Sequence, residues 1–153
     1  MFDTGKYCEV IEAFHKKLAE VPMGITGTRP APDSWSLNEI IGHLIDSASN
    51  NHQRFVRLQF GDLLDFPAYD GESWIRAQNY TGMDWNDLTA LWHSYNRILL
   101  KIIENLDERA LGNVWIKDEQ ALPLEFIVKD YFRHLQWHIG HFEERLKEMQ
   151  KTL

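Results

Sequence analysis

Cysteine is nearly absent: Cys8 is the only one in 153 residues. No internal disulfide can form and a thiolate metal cluster is excluded, so any metal ion must be held by histidine and carboxylate. Concentrated positive charge is missing too. Sixteen Lys and Arg face 23 Asp and Glu, for a formal net charge of −7. Nowhere do the cations gather into a face able to neutralise phosphates, which argues against nucleic acid as a partner. Long apolar runs are also lacking, none reaching the roughly 20 residues of a membrane span. The start, Met1-Phe2-Asp3-Thr4-Gly5-Lys6, shows no basic region leading into an apolar one. A cytoplasmic protein with no membrane partner is expected.

What the chain does have is apolar and aromatic side chains. A hydrophobic share of 44% with six Trp, eight Phe and five Tyr can fill one core, and the length suits one domain over residues 1–153. Tyr7, Val10, Ile11, Phe14 and Leu18 recur at helical spacing over residues 5–20, and Pro22 closes that helix. Gly24, Gly27, Pro30 and Pro32 make residues 23–33 a connection. The second helix has clear punctuation: Ser36 caps it, Glu39 completes a capping box, and Trp35 is placed to staple onto Ile40. It is expected to run to about residue 59 or 60, before Gly61.

Residues 60–82 break the helical pattern yet carry Phe66, Tyr69, Trp74 and Tyr80. That density of aromatics predicts a packed crossover, with a short helix near residues 72–79, and not a disordered linker. Asp84 caps a third long helix marked by Trp85, Leu88, Trp92, Tyr95, Leu99, Ile102, Ile103 and Leu106. A polar stretch with Gly112 and a short apolar piece, Val114-Trp115-Ile116, come next, and Pro123 suits the first turn of a final helix running to about Met149. Four long amphipathic helices with no strong strand pattern predict an all-α, four-helix bundle.

At about 100° per residue, Leu124, Val128, Leu135, Ile139, Phe142 and Leu146 form the apolar stripe of the last helix. His134 and His138 flank it, His138 nearer its centre, while His141 points further out. On the second helix Ile41, Leu44, Ala48 and Phe55 form the apolar arc, and His43, Ser47, Asn50 and Arg54 make a polar row with Asp46 beside it. That row is open to two readings, a solvated face or an inner polar lining. Two imidazoles one turn apart and a third from another helix can share one divalent cation and leave its remaining positions open. Histidines drawn into a bundle without partners would leave nitrogens unsatisfied at about 1–3 kcal/mol each, a penalty that a shared cation removes. His15, His52 and His93 read as surface or packing residues, and Cys8 as a packing residue near the start of the first helix.

Three runs carry a family resemblance: Trp35-Ser36-Leu37-Asn38-Glu39-Ile40-Ile41-Gly42-His43-Leu44-Ile45-Asp46, then Asn50-Asn51-His52-Gln53-Arg54-Phe55, and finally Tyr131-Phe132-Arg133-His134-Leu135-Gln136-Trp137-His138-Ile139-Gly140-His141. In order and spacing, over nearly the whole chain, they resemble the DinB-like (DinB/YfiT-like) metal-dependent enzymes. The resemblance implies a four-helix bundle with a long crossover in an up-down-down-up arrangement. It further implies a divalent metal ion held by one His of the second helix and the His-x-x-x-His of the last, positions that fall on His43, His134 and His138.

Activity on small molecules is implied as well, since such proteins include transferases and isomerases that use low-molecular-weight thiols, others called hydrolases, and members that form helix-face homodimers. Three neutral imidazoles leave a cation its double charge, able to lower the pKa of water from about 15.7 to about 7 or to hold a thiol as thiolate. Imidazole suits zinc or nickel, with iron a third candidate. The leading expectation is a transferase moving a group onto a small thiol, with Asp46, Asn50 or Arg54 as further contacts. A hydrolase using water, and a non-catalytic stress-related binding bundle, are the alternatives.

Overall fold

The computed structural model describes residues 2–151. Its helices are α1 (Thr4–Ala19), α2 (Leu37–Arg57), α3 (Gly71–Gln78), α4 (Trp85–Glu104) and α5 (Leu124–Gln150), with single 3-10 turns at Met23–Ile25, Tyr80–Gly82 and Glu108–Ala110. A hairpin of β1 (Val114–Lys117) and β2 (Gln120–Pro123) precedes α5. The four long helices form the expected bundle. Both α1 and α2 pack chiefly on α4 and α5, so consecutive helices α1 and α2 face each other across the bundle. This neighbour order suits an up-down-down-up arrangement, in which α2 and α4 need a long crossover between them. No helix among the described residues is long and apolar enough to cross a membrane.

Periodic apolar positions meet in the centre, where Ile11, Phe14, Leu18, Ile41, Leu44, Phe55, Trp92, Leu99, Leu135 and Phe142 are buried. The Phe14 ring stands edge-on to Trp92 at 5.1 Å and to Phe142 at 5.2 Å. The punctuation of α2 is present in full: Ser36 Oγ accepts from the Glu39 amide at 3.2 Å, and the Ser36 amide donates to Glu39 Oε2 at 2.8 Å. Arg29 Nε adds a bond to Glu39 Oε2 at 2.9 Å, tying the preceding connection to the cap. The helix stops at Arg57, short of the expected residue 59 or 60.

The crossover is packed on α2, as its aromatics suggested. Asn38 Nδ2 donates to the carbonyls of Tyr80 at 3.0 Å and Met83 at 2.9 Å. The Tyr80 ring lies against Gly42 so closely that any Cβ there would overlap it, and its hydroxyl donates to Asp46 Oδ1 at 2.7 Å.

The short hairpin is added to the all-α bundle, and its first strand contains the apolar piece Val114-Trp115-Ile116. Trp115 pairs with Leu122 across it, and Asp118 and Glu119 make the turn with φ of 48° and 66°. Turns of this hand need positive φ at both central residues and favour Asn-Gly or Asp-Gly, so Asp-Glu gives no recognisable signal. Leu63 from the crossover exchanges backbone bonds with β1, its amide to the Val114 carbonyl and its carbonyl from the Ile116 amide, both at 2.9 Å. Pro123 accordingly ends β2 and caps α5 from outside, where a place in the first helical turn was expected.

Candidate metal centre

Helix α2 supplies His43 and helix α5 supplies His134 and His138, and their Nε2 atoms converge. His134 Nε2 lies 3.3 Å from His43 Nε2 and 3.0 Å from His138 Nε2, and the donor atoms of the three rings all fall within 4.8 Å of one another. Nitrogens about 2.0–2.1 Å from a tetrahedral zinc lie roughly 3.3–3.4 Å apart, and three on one octahedral face roughly 3.0 Å. The two separations to His134 fall in that range, and three ligands leave positions over for a reactant. These donors therefore suit a divalent cation without selecting among zinc, nickel and iron.

Burial sets the electrostatics. His43 is 8% exposed and His138 5%. Loss of water, reinforced by the neighbouring imidazoles, pushes His43 down to about 4 and His138 down to about 3. His134 is lowered as well, by desolvation against the opposing charge of Asp130. All three rings are neutral in neutral solution, the state in which imidazole is a ligand. Trp35 lies over the group, 5.0 Å from the His43 ring and 6.4 Å from the nearly parallel His138 ring. Arg145, buried on α5, donates to the Trp35 carbonyl and holds that segment down. The Nδ1 atoms of His43 and His138 are buried without a partner, so among the described residues no carboxylate orients either ring from behind.

A family model for the DinB superfamily matches residues 9–142. The chain belongs to the DinB superfamily. No curated protein shows significant sequence similarity to it. Among solved structures, YfiT from Bacillus subtilis, described as a probable metal-dependent hydrolase with an unusual four-helix bundle topology, matches with a TM-score of 0.81 at 21% identity, over 96% of this chain and 87% of that one. At that identity the likeness establishes the fold.

In this DinB-superfamily chain the polar row of α2 is an inner lining, since His43, Asp46, Ser47 and Arg54 are all buried and Asn50 is half-buried. The solvated reading is thereby excluded, because the crossover and hairpin cover that face. Its members do different things. The Asp46 carboxyl accepts at Oδ1 from Tyr80 and, at 2.9 Å, from Gln78 Nε2, and burial pushes it upward despite these bonds. Asn50 Nδ2 donates to the Asp46 carbonyl at 2.9 Å, within its own helix. Neither bonds to the imidazoles. Arg54 lines a cavity of about 230 Å³ whose wall includes His134, beside the three imidazoles. His141 is half-buried with its ring 6.2 Å from that of His138.

The remaining histidines lie apart from the centre. His15 and His93 stack at 3.7 Å while His93 Nε2 bonds Glu12 Oε1 at 2.9 Å, and His52 Nδ1 sits 3.1 Å from the Tyr95 hydroxyl. Cys8, expected to pack, is exposed because it lies on the outer side of α1, away from buried Ile11, Phe14 and Leu18. Tyr69, Trp115 and Lys117 around the cavity were missed, since they reach it through the crossover and the unforeseen hairpin.

Proposed function

We propose that this chain is a metal-dependent enzyme acting on a small molecule, with His43, His134 and His138 as ligands and a low-molecular-weight thiol as the acceptor of the transferred group. The single observation that carries the reading is the meeting of three neutral imidazole nitrogens from two helices at one point. A divalent cation held there would supply the positive charge that turns a weak nucleophile into an anionic one at neutral pH. A thiol needs little further help, since its own pKa is near 8.5.

A cation there would also activate water, and a general base positioned near it would add to that; among the described residues no carboxylate hydrogen-bonds to the three rings. Asp46 Oδ1 is engaged by Tyr80 and Gln78 while its Oδ2 is buried without a partner, and Asp130 pairs with Arg133 at the surface. Trp35 shields one side of the imidazoles from solvent, and the cavity on the His134 side leaves room for a substrate. Hydrolysis is the second reading, favoured by the description of YfiT.

The test has two parts. Protein purified without a histidine tag is expected to retain about one zinc or nickel per chain by elemental analysis, and His134→Ala to lose it; an unchanged metal content in the variant overturns the ligand assignment. Metal-loaded protein is then given an aryl halide or an activated ester with and without a small thiol. Turnover that requires the thiol supports transfer, and equal turnover without it replaces transfer by hydrolysis.

A further inference from the structure

Arg54 is a buried cation without an anion. It is 6% exposed, in a chain whose net charge is −7, yet it forms no salt bridge. Its only hydrogen bond among the described residues runs from Nη1 to Asn51 Oδ1 at 3.3 Å, and its Nε is buried with no acceptor. The guanidinium lies 4.0 Å above the Trp115 ring, which orients it and offsets part of its charge. A desolvated, unpaired guanidinium is costly, and structures keep one mainly where a ligand completes it.

The surroundings favour an anion. The cavity that Arg54 lines also has Lys117, Tyr69, Ser47 and His134 on its wall. Its one acid, Asp130, pairs with Arg133 at the surface, which leaves two cations to one carboxylate on the wall. We infer that Arg54 binds an oxyanion, a carboxylate or phosphate carried by the substrate or by the thiol, and thereby holds that molecule beside His134. A planar guanidinium stacked on an aromatic ring presents its edge, the part that grips such groups through two parallel hydrogen bonds. Lys117 adds a second positive charge at the mouth, and Tyr69 and Ser47 supply hydroxyls. The inference rests on reading the cavity as the substrate side of the proposed metal site.

The experiment observes Arg54 itself. Protein labelled with ¹⁵N in the arginine side chains is titrated, metal-free and zinc-loaded, with 3-sulfanylpropanoate, with its neutral amide and with inorganic phosphate. The Arg54 Nε resonance is expected to shift saturably with at least one of the two oxyanions, at a dissociation constant at least tenfold below that of the amide. The better of the two identifies the anion class. Arg54→Gln is expected to abolish that preference in calorimetry while leaving the zinc content unchanged. Acid, phosphate and amide of equal effect on wild-type protein would overturn the inference, whatever the stability of the variant, and would leave Arg54 a packing residue on Trp115. Anion preference in protein that fails to take up added zinc would instead sink the metal reading alone.

Discussion

Gly71, the first residue of α3, lies against the ring of His43, and a Cβ built on it would stand 3.1 Å from Cε1 and 3.2 Å from Nδ1. At such distances the ring must give by a few tenths of an ångström, a shift that moves Nε2 relative to its two partners. Alanine suits a helix better than glycine, so Gly71→Ala is expected to leave thermal stability nearly unchanged while weakening zinc or nickel binding by roughly tenfold, the scale at which disturbing a ligand's support is felt. Competition with a chelator of known affinity checks this. A lower melting temperature with unaltered metal affinity would mean that the glycine serves the helix and not the ring.

The N-terminus of α2 and the β-hairpin show how local chemistry fixes the elements that bear the site. Burial alone would raise the Glu39 carboxyl, but its bonds to Arg29 and Ser36 outweigh burial and hold it below the ordinary 4.5. A carboxyl depressed in the folded state contributes stability above its unfolded pKa and loses it as pH falls through the folded one. Glu39→Gln is therefore expected to unfold more readily than wild type at pH 7, with the difference shrinking as pH drops below about 4.5; urea denaturation at both pH values measures it.

In the hairpin turn, Glu119 occupies a left-handed conformation at φ 66° that suits glycine. Glu119→Gly is expected to raise stability by about 0.5–1 kcal/mol. A loss of stability in the same assay would show that the Glu119 side chain contributes more than its backbone strain costs.

Across the whole molecule the three imidazoles join α2 to α5, and the crossover and hairpin close over the cavity they border. An ion bound by groups from two helices stabilises the folded state by mass action, about 2.7 kcal/mol at a free concentration one hundred times its dissociation constant. Zinc or nickel is expected to raise the melting temperature of metal-free protein by several degrees in calorimetry, and to leave that of His43→Ala in place. The rise should persist to about pH 5 and fade as the pH approaches about 4, because imidazole must lose its proton to bind and burial holds His43 at about 4 and His138 at about 3. A shift that persists in the variant would point to ion binding elsewhere.

The long helices, the capping box of Ser36 and Glu39, and the packed character of residues 60–82 were legible in the chain because each depends on neighbours within a few positions. So was the pairing of His134 with His138, one turn apart on a single helix. The fate of the polar row on α2 was not, since a helix face does not record what covers it: Tyr80, Gly71 and the hairpin arrive from distant segments and turn His43, Asp46 and Arg54 inward. The hairpin itself escaped notice because Asp118 and Glu119 stand where a glycine usually announces the turn. Helical periodicity is short-ranged and is written in the order of side chains, whereas burial, and with it the neutrality of the imidazoles and the isolation of Arg54, exists only once remote parts of the chain exclude water together.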